Sequence, residues 1–389
     1  MRSIRLIFFI GVNLLFFFVI ANLAISIYWE YKTIKKFEKF NPYLELSREA
    51  LGLNLDEARQ LYIETWIDRK YQYDQFVEWN EGEQTNKKFV NISQDGRKIS
   101  NNNDCKKNFY FYGGSTTFGY NVADNQTFAQ YFKNILDKEF PNQNFCVFNH
   151  GRAGYASPWE TFLFQKHLNQ KKIGENDFVF FIDGVNERGI SDGLNTESIK
   201  NFINALSYDY WDIYKPISSL FIQSLPYSQL VLRLKQKKRL GSKDLDSIKC
   251  PTNTRTVPIN SKLTCLSVEE VSKTLENFIR IRNSTCKEFK INCYTMLQPF
   301  STIHGKYFPE YEKSAAIETG ILKDRDQEYE KTIEFYESFA KIKGIVDISG
   351  ALDSAKTLSY IDRSHYSPAA NKSIANKIFS HIKDKIYEQ

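Results

Sequence analysis

Apolar positions run along this chain in two rhythms. Five short runs are apolar at nearly every position: "NFYFYGG" (108–114), "NFCVFNHG" (144–151), "DFVFFIDG" (177–184), "INCYTMLQP" (291–299) and "GIVDISG" (344–350). Unbroken runs of that length fit strands covered on both faces. Between them, apolar residues return every three or four positions. In "DNQTFAQYFKNILDKEF", Phe128, Tyr131, Phe132, Ile135 and Leu136 share one helical face, with Asp124 placed to cap it. Pro158 to Leu168 predicts the next helix. Val268 to about Phe289 predicts a longer one, with Ser267 and Glu270 spaced as a capping box. Gln327 to Lys341 is amphipathic. The last helix has Ser367 to cap it, Pro368 at its first position, and a stripe of Ile374, Ile378 and Ile382.

Strands alternating with helices predict an α/β protein of three layers, α/β/α, around a five-stranded parallel sheet. With 389 residues, 42% of them apolar and 15% aromatic, the chain can fill such a core. The sheet-forming domain is expected over residues 105–389, with an insertion at about 190–266. Residues 31–104 read as a juxtamembrane lead-in, helical from Asn41 to about Lys70 and then irregular, with room for one strand. Within the insertion, "SSLFIQSLPYSQLVLRLKQKKRL" has an apolar face and a basic tail. That pattern fits a membrane surface, and it also fits a helix packed on its own domain.

The N-terminus breaks both rhythms. From Leu6 to Trp29 no residue is charged, and the apolar positions cover every face. Such a run is long enough to cross a bilayer core of about 30 Å as a helix. It is longer than the ~7–15-residue apolar region of a cleaved signal peptide, and no A-x-A follows it. The expectation is one uncleaved transmembrane signal anchor over residues 1–30. Arg2 and Arg5 precede the span and Lys32, Lys35, Lys36 and Lys39 follow it, a count that by itself favours an inward-facing domain.

The cysteines point the other way. Cys250 and Cys265 bracket a polar loop, Cys286 and Cys293 lie across a helix end and a strand start, and Cys105 and Cys146 stand near the beginnings of neighbouring strands. These three short-range pairings suit an oxidising space. Six buried thiols would fit the same positions. None has zinc-ligand spacing. The domain is therefore expected in the periplasm or another extracytoplasmic space. The net charge of +6 is spread over a chain that is 25% charged, without a basic, aromatic-laced block, so nucleic acid is not an expected partner.

In a parallel sheet the chemistry lies beyond the carboxyl ends of the strands. There the sequence places Ser115 in "GGSTTFG", Gly151 and Gly154 in "NHGRAG", Asn186 in "DGVNE", and Asp362 and His365 in "YIDRSH". A serine needs a base, the base needs a carboxylate to orient it, and the oxyanion needs donors. Asp183 beside Asn186 could line the pocket or hold a turn, and His150 reads as a structural residue. His167, His304 and His381 have no metal-site arrangement around them.

These four segments, in this order, resemble the SGNH (GDSL-type) hydrolase family, over Cys105 to the C-terminus. The resemblance implies a flavodoxin-like sheet, Ser115 as nucleophile, His365 as general base and Asp362 as its orienting partner. It implies an oxyanion hole of the Ser115 and Gly154 backbone N–H groups and the Asn186 side chain. No metal or cofactor is implied. Two positions depart from the pattern: Gly114 stands where the name-giving Asp would be, and Glu187 where Asp usually follows the Asn. "FVNISQDGRKI" and Trp79 in the lead-in resemble membrane-anchored relatives associated with surface polysaccharides. The expected function is a membrane-tethered serine esterase or O-acyltransferase working on an O-acylated glycan, or alternatively on a lipid ester. A catalytically idle domain of the same fold, used as a binding or assembly subunit, is the competing expectation.

Overall fold

The structure, a computed structural model, describes residues 2–39, 48–69, 71–102, 104–187, 254–259, 262–301, 325–362 and 364–388. Two units are distinguished, residues 1–41 with 200–249, and residues 42–199 with 250–389.

In the first unit, helix α1 (Arg2–Lys39) carries the apolar window Phe8–Tyr28, long and apolar enough to span a membrane and with none of it buried. Two of its polar side chains are satisfied internally. The amides of Asn13 and Asn22 each donate back one turn, to the carbonyls of Phe9 and Phe18, both at 2.8 Å.

The second unit begins with α2 (Leu55–Tyr62), which Asn54 and Glu57 start as a capping box, and which widens into a π turn over Ile63–Ile67. Four short strands follow: β1 (Tyr71–Asp74), β2 (Glu78–Glu81), β3 (Ile92–Ser93) and β4 (Gly96–Arg97). Next come β5 (Lys107–Gly113), the single-turn α3 (Ser115–Phe118), α4 (Phe128–Glu139), β6 (Phe145–Gly151), α5 (Ser157–Asn169) and β7 (Phe178–Asp183). The hairpin β8 (Thr254–Ile259) and β9 (Lys262–Ser267) falls at the end of the stretch read as an insertion, and after it come α6 (Val268–Glu288), β10 (Asn292–Leu297), α7 (Arg325–Ala340), β11 (Ile345–Asp347) and α8 (Pro368–Tyr387).

The central sheet runs β11-β10-β7-β5-β6-β4-β3. The five expected strands are all present and all parallel, in the order second, first, third, fourth, fifth. Beyond the expectation, β4 pairs antiparallel with β6 through Arg97 and Asn149, and β3 pairs with β4, so part of the lead-in is built into the sheet. The period of two along each strand sorts its side chains between the layers. Phe109 and Phe111 of β5, with Phe178 and Phe180 of β7, face Phe128 and Phe132 of α4 and Ile374, Ile378 and Ile382 of α8. Tyr110, Tyr112, Val179 and Phe181 face Trp159, Leu163 and Phe164 of α5 on the opposite side. Val271, Leu275 and Ile279 of α6 pack with Phe335 and Phe339 of α7. Both faces are covered, which is why the strands read as unbroken apolar runs.

Two helix starts follow the sequence: Ser267 and Glu270 form the capping box of α6, and Ser367 caps α8 ahead of Pro368. One does not. Asp124 lies in a 3₁₀ turn, and Thr127 caps α4 by accepting the amide of Gln130. Asp124 instead receives the guanidinium of the fully buried Arg97 at 2.6 Å, so the carboxylate answers a buried cation rather than the helix end. Disulfides join Cys105, just ahead of β5, to Cys146 in β6, and Cys286 to Cys293, from the last turn of α6 to β10. Cys250 and the amphipathic basic stretch of the insertion lie outside the described residues, as does His304. The side-chain surroundings of Cys265 do too.

Candidate active site

From β5 the chain crosses by α4 to β6 on one side, then returns by α5 to β7 on the other. The crevice where such connections part lies between the carboxyl ends of β5 and β7. Ser115 follows β5 directly, as the first residue of α3, with Gly114 before it. Its backbone N–H opens the turn and so has no carbonyl four residues back to bind.

His365 arrives from the loop ahead of α8. Its Nε2 lies 2.9 Å from Ser115 Oγ, and its Nδ1 lies 2.6 Å from Asp362 Oδ2. A carboxylate can only accept, so Nδ1 carries the hydrogen and Nε2 accepts from the serine hydroxyl. Asp362 Oδ1 accepts the backbone N–H groups of Ser364 at 2.8 Å and His365 at 2.9 Å, folding the loop around the carboxylate. Tyr366 pins the far side of this loop by donating to the carbonyl of Pro299 at 2.6 Å. Burial pushes the Asp362 carboxyl up, but the facing His365 and the hydrogen bonds from its ring, Ser364 and His365 outweigh it and leave the group below the usual carboxylate range.

The His365 ring lies flat on Tyr120, centroids 4.9 Å and planes 13° apart, with Trp66 edge-on at 6.1 Å. The guanidinium of Arg69 sits 4.2 Å from the Tyr120 centroid and is paired with Glu81 at 3.2 Å. Neither Trp66, Arg69 nor Tyr120 stood out in the sequence: Trp66 and Arg69 lie in a charged stretch read only as helical, and Tyr120 in the turn after Ser115.

Asn186 lies in the turn after β7. Its amide donates to the carbonyl of Tyr155 at 2.6 Å and rests against Gly114, where any Cβ would overlap the amide nitrogen. Glycine at 114, the first departure from the family pattern, thus makes room for Asn186. Gly154 adopts φ +70 with open space around its missing Cβ, a conformation that favours glycine. Its turn is held by the Ala153 N–H, which donates to Glu81 Oε1 at 2.8 Å, and by the Arg152 N–H, which donates to the Gly113 carbonyl at 2.9 Å. The structure therefore brings Ser115, His365 and Asp362 into hydrogen-bond contact. It sets Asn186 beside Gly114 and Gly154 in the turn that includes Tyr155.

Asp183 is not a pocket carboxylate. It is wholly buried and receives Arg282 Nη1 at 2.6 Å. The same guanidinium donates to the Ser157 carbonyl at 2.9 Å, to Thr161 Oγ1 at 2.8 Å and to Glu160 Oε2 at 3.4 Å. Glu187, the second departure, binds the amides of Gly184 at 2.5 Å and Ser157 at 2.9 Å and so ties the Asn186 turn to the start of α5. Carboxylate oxygens of Glu160, Asp183 and Glu187 lie within 4.8 Å of one another. Three carboxylates at that spacing could hold a cation, and the guanidinium of Arg282 already supplies one. Burial, then the neighbouring Asp183, pushes Glu187 up to about 7 and Glu160 well above the usual range, so Glu160 stays protonated while Glu187 gains and loses its proton around neutral pH.

His150 and His167 are structural, with ring centroids 4.3 Å apart and Tyr112 Oη at 2.7 Å from His167 Nδ1. Burial holds both well below the normal histidine range, so both are neutral.

No protein-family model and no curated protein sequence matches the chain. Among solved structures, it is similar to an alpha/beta hydrolase enzyme from the metagenome of Lake Arreo, Spain, at 14% identity and TM-score 0.34, covering 71% of this chain and 94% of that one. It is similar to an acetylxylan esterase from Geobacillus stearothermophilus at 14% identity and TM-score 0.33, covering 72% and 94%. A further acetyl xylan esterase matches at 11% identity and TM-score 0.33, covering 71% and 99%. With TM-scores this low, the chemistry has to be read from this chain's own residues.

Proposed function

We propose that this chain is a serine esterase or O-acyltransferase of the SGNH type, tethered by α1 and working outside the cytoplasm. One observation carries the reading: the unbroken hydrogen-bond line from Ser115 Oγ through His365 to Asp362, at 2.9 and 2.6 Å, at the switch point of a parallel sheet.

In this reading Ser115 Oγ attacks the ester carbonyl carbon while His365 Nε2 takes its proton, and the carbonyl electron pair moves onto oxygen. The Ser115 and Gly154 backbone N–H groups, with the second amide hydrogen of Asn186, receive that oxyanion, each donor worth about 3 kcal/mol. When the carbonyl re-forms, the alcohol departs with the proton from His365 and leaves acyl-Ser115. Water or a sugar hydroxyl then gives its proton to His365 and attacks the acyl carbon, and Ser115 leaves with that proton. The choice of acceptor separates hydrolase from transferase. The Cys105–Cys146 and Cys286–Cys293 bonds support an oxidising compartment. An O-acylated glycan is the substrate class we favour, with a lipid ester as the other, given the tether.

The test treats the full chain, in detergent, with a fluorophosphonate probe and reads intact mass. One adduct on the parent and none on Ser115→Ala is the expected result. A folded, disulfide-bonded parent that takes no adduct would favour the binding-subunit alternative.

A further inference from the structure

The line of hydrogen bonds at the active site does not stop at Asp362. Its Oδ2, the oxygen that accepts His365 Nδ1, also accepts the Asn121 side-chain amide at 2.7 Å. Asn121 Oδ1 in turn accepts the indole N–H of Trp66 at 2.5 Å. The polarity is fixed at both ends. An indole can only donate and a carboxylate can only accept, so the amide between them has one allowed orientation.

Local structure holds both residues in place. Asn121 sits at φ +61, a left-handed conformation that asparagine tolerates better than most residues. Trp66 lies within the π turn, closed by the Asp68 N–H reaching the Ile63 carbonyl at 2.9 Å. π turns are rare and concentrate at functional sites. This one is anchored by the buried Glu64, whose Oε2 accepts the amides of Phe89 at 2.8 Å and Val90 at 2.9 Å. Trp66 itself remains 41% exposed although its N–H is committed. Burial alone therefore does not account for its placement.

We propose that Asn121 is a positioning residue for the Asp362–His365 pair, and that Trp66, from the segment following the membrane helix, orients Asn121. The active site is then completed by the juxtamembrane segment rather than contained in the sheet and its loops. This inference rests on the esterase reading of Ser115.

The test uses the full-length protein in detergent, with p-nitrophenyl acetate as substrate and the fluorophosphonate probe as a second reporter. Asn121→Gly removes the amide while keeping a residue that accepts the left-handed backbone. Trp66→Phe keeps an aromatic ring and removes the N–H. Asn121→Gly is expected to lower kcat about tenfold, the loss typical of one hydrogen bond to a charged group, and Trp66→Phe a few-fold, because its bond joins two neutral groups, with KM and Tm near the parent's in both. The double variant should be no worse than Asn121→Gly alone, because both act through one bond to Asp362. An active parent whose kcat is unchanged in Asn121→Gly overturns the inference alone, as do losses that multiply in the double variant. A parent that neither cleaves the ester nor reacts with the probe overturns the reading of Ser115, and this inference with it.

Discussion

Asp362 and His365 are bound to each other twice: the imidazole Nδ1 meets Oδ2 at 2.6 Å, and the His365 backbone N–H meets Oδ1 at 2.9 Å. The carboxylate thus fixes both the ring's tautomer and the loop that carries it. Asp362→Asn would present an amide that can donate to Nδ1 and favour the hydrogen on Nε2, where the serine needs an acceptor. We expect kcat for p-nitrophenyl acetate to fall about 10⁴-fold with KM little changed, as steady-state kinetics would report. A loss under tenfold would remove Asp362 from the role proposed for it.

Gly114 and Asn186 make a second such pair. A methyl group at 114 overlaps the Asn186 amide nitrogen, so Gly114→Ala must push that side chain away from its bond to the Tyr155 carbonyl. The expected outcome is a fall of about a hundredfold in kcat, the scale of one lost oxyanion donor, with a Tm close to the parent's. Kinetics measured beside a thermal melt would separate this from simple misfolding.

The buried acids predict a pH effect on stability. Glu187 is pushed up to about 7 in the folded protein, against about 4.3 when unfolded. Between those values the folded chain holds a proton that the unfolded chain has released, so this group's contribution to stability falls as pH rises through the window. His150 and His167, kept neutral by burial, work in the opposite sense below about 6.5. A comparison with Glu187→Gln isolates the acid: the Tm of the variant relative to the parent should climb from pH 5 to pH 8. Parallel Tm curves would show that Glu187 is not protonated in the fold.

The two disulfides should differ in weight. Cys105–Cys146 closes a sequence separation of 41 residues and Cys286–Cys293 one of only 7. Loop-closure entropy gives about 4 kcal/mol for the first and about 2.4 kcal/mol for the second. Replacing Cys105 and Cys146 by Ser should therefore lower the denaturation midpoint more than replacing Cys286 and Cys293, as a urea titration would measure.

The strands and helices that bury a repeating face were legible because burial imposes a period on the residues themselves. Phe109, Phe111, Tyr110 and Tyr112 are all apolar or aromatic since both faces of β5 are covered. The candidate site residues could be picked out because Ser115 and Asn186 stand just past the ends of β5 and β7, while Asp362 and His365 share one short loop ahead of a capped helix. What escaped was whatever depends on a partner far along the chain. Trp66 and Asn121 are 55 positions apart, and nothing in either neighbourhood announces a bond between them. Arg282 lies on the buried face of α6, where a charge is unexpected until Asp183, 99 positions away, is seen to receive it. Strands β3 and β4 were missed for a simpler reason: two residues each are too few to show an alternation.

Those two short strands also bear on how the protein behaves in a crowd. A row of unpaired peptide groups along a sheet rim invites another chain to add to it. Here the β6 side is closed by the β3–β4 hairpin, whose outer strand has two residues, and the opposite rim is β11, with three. Among the described residues, each rim thus offers only a stub as a template. For molecules that the proposed α1 tether would hold in one plane, meeting one another far more often than in free solution, blunt rims would guard against strand-to-strand accretion.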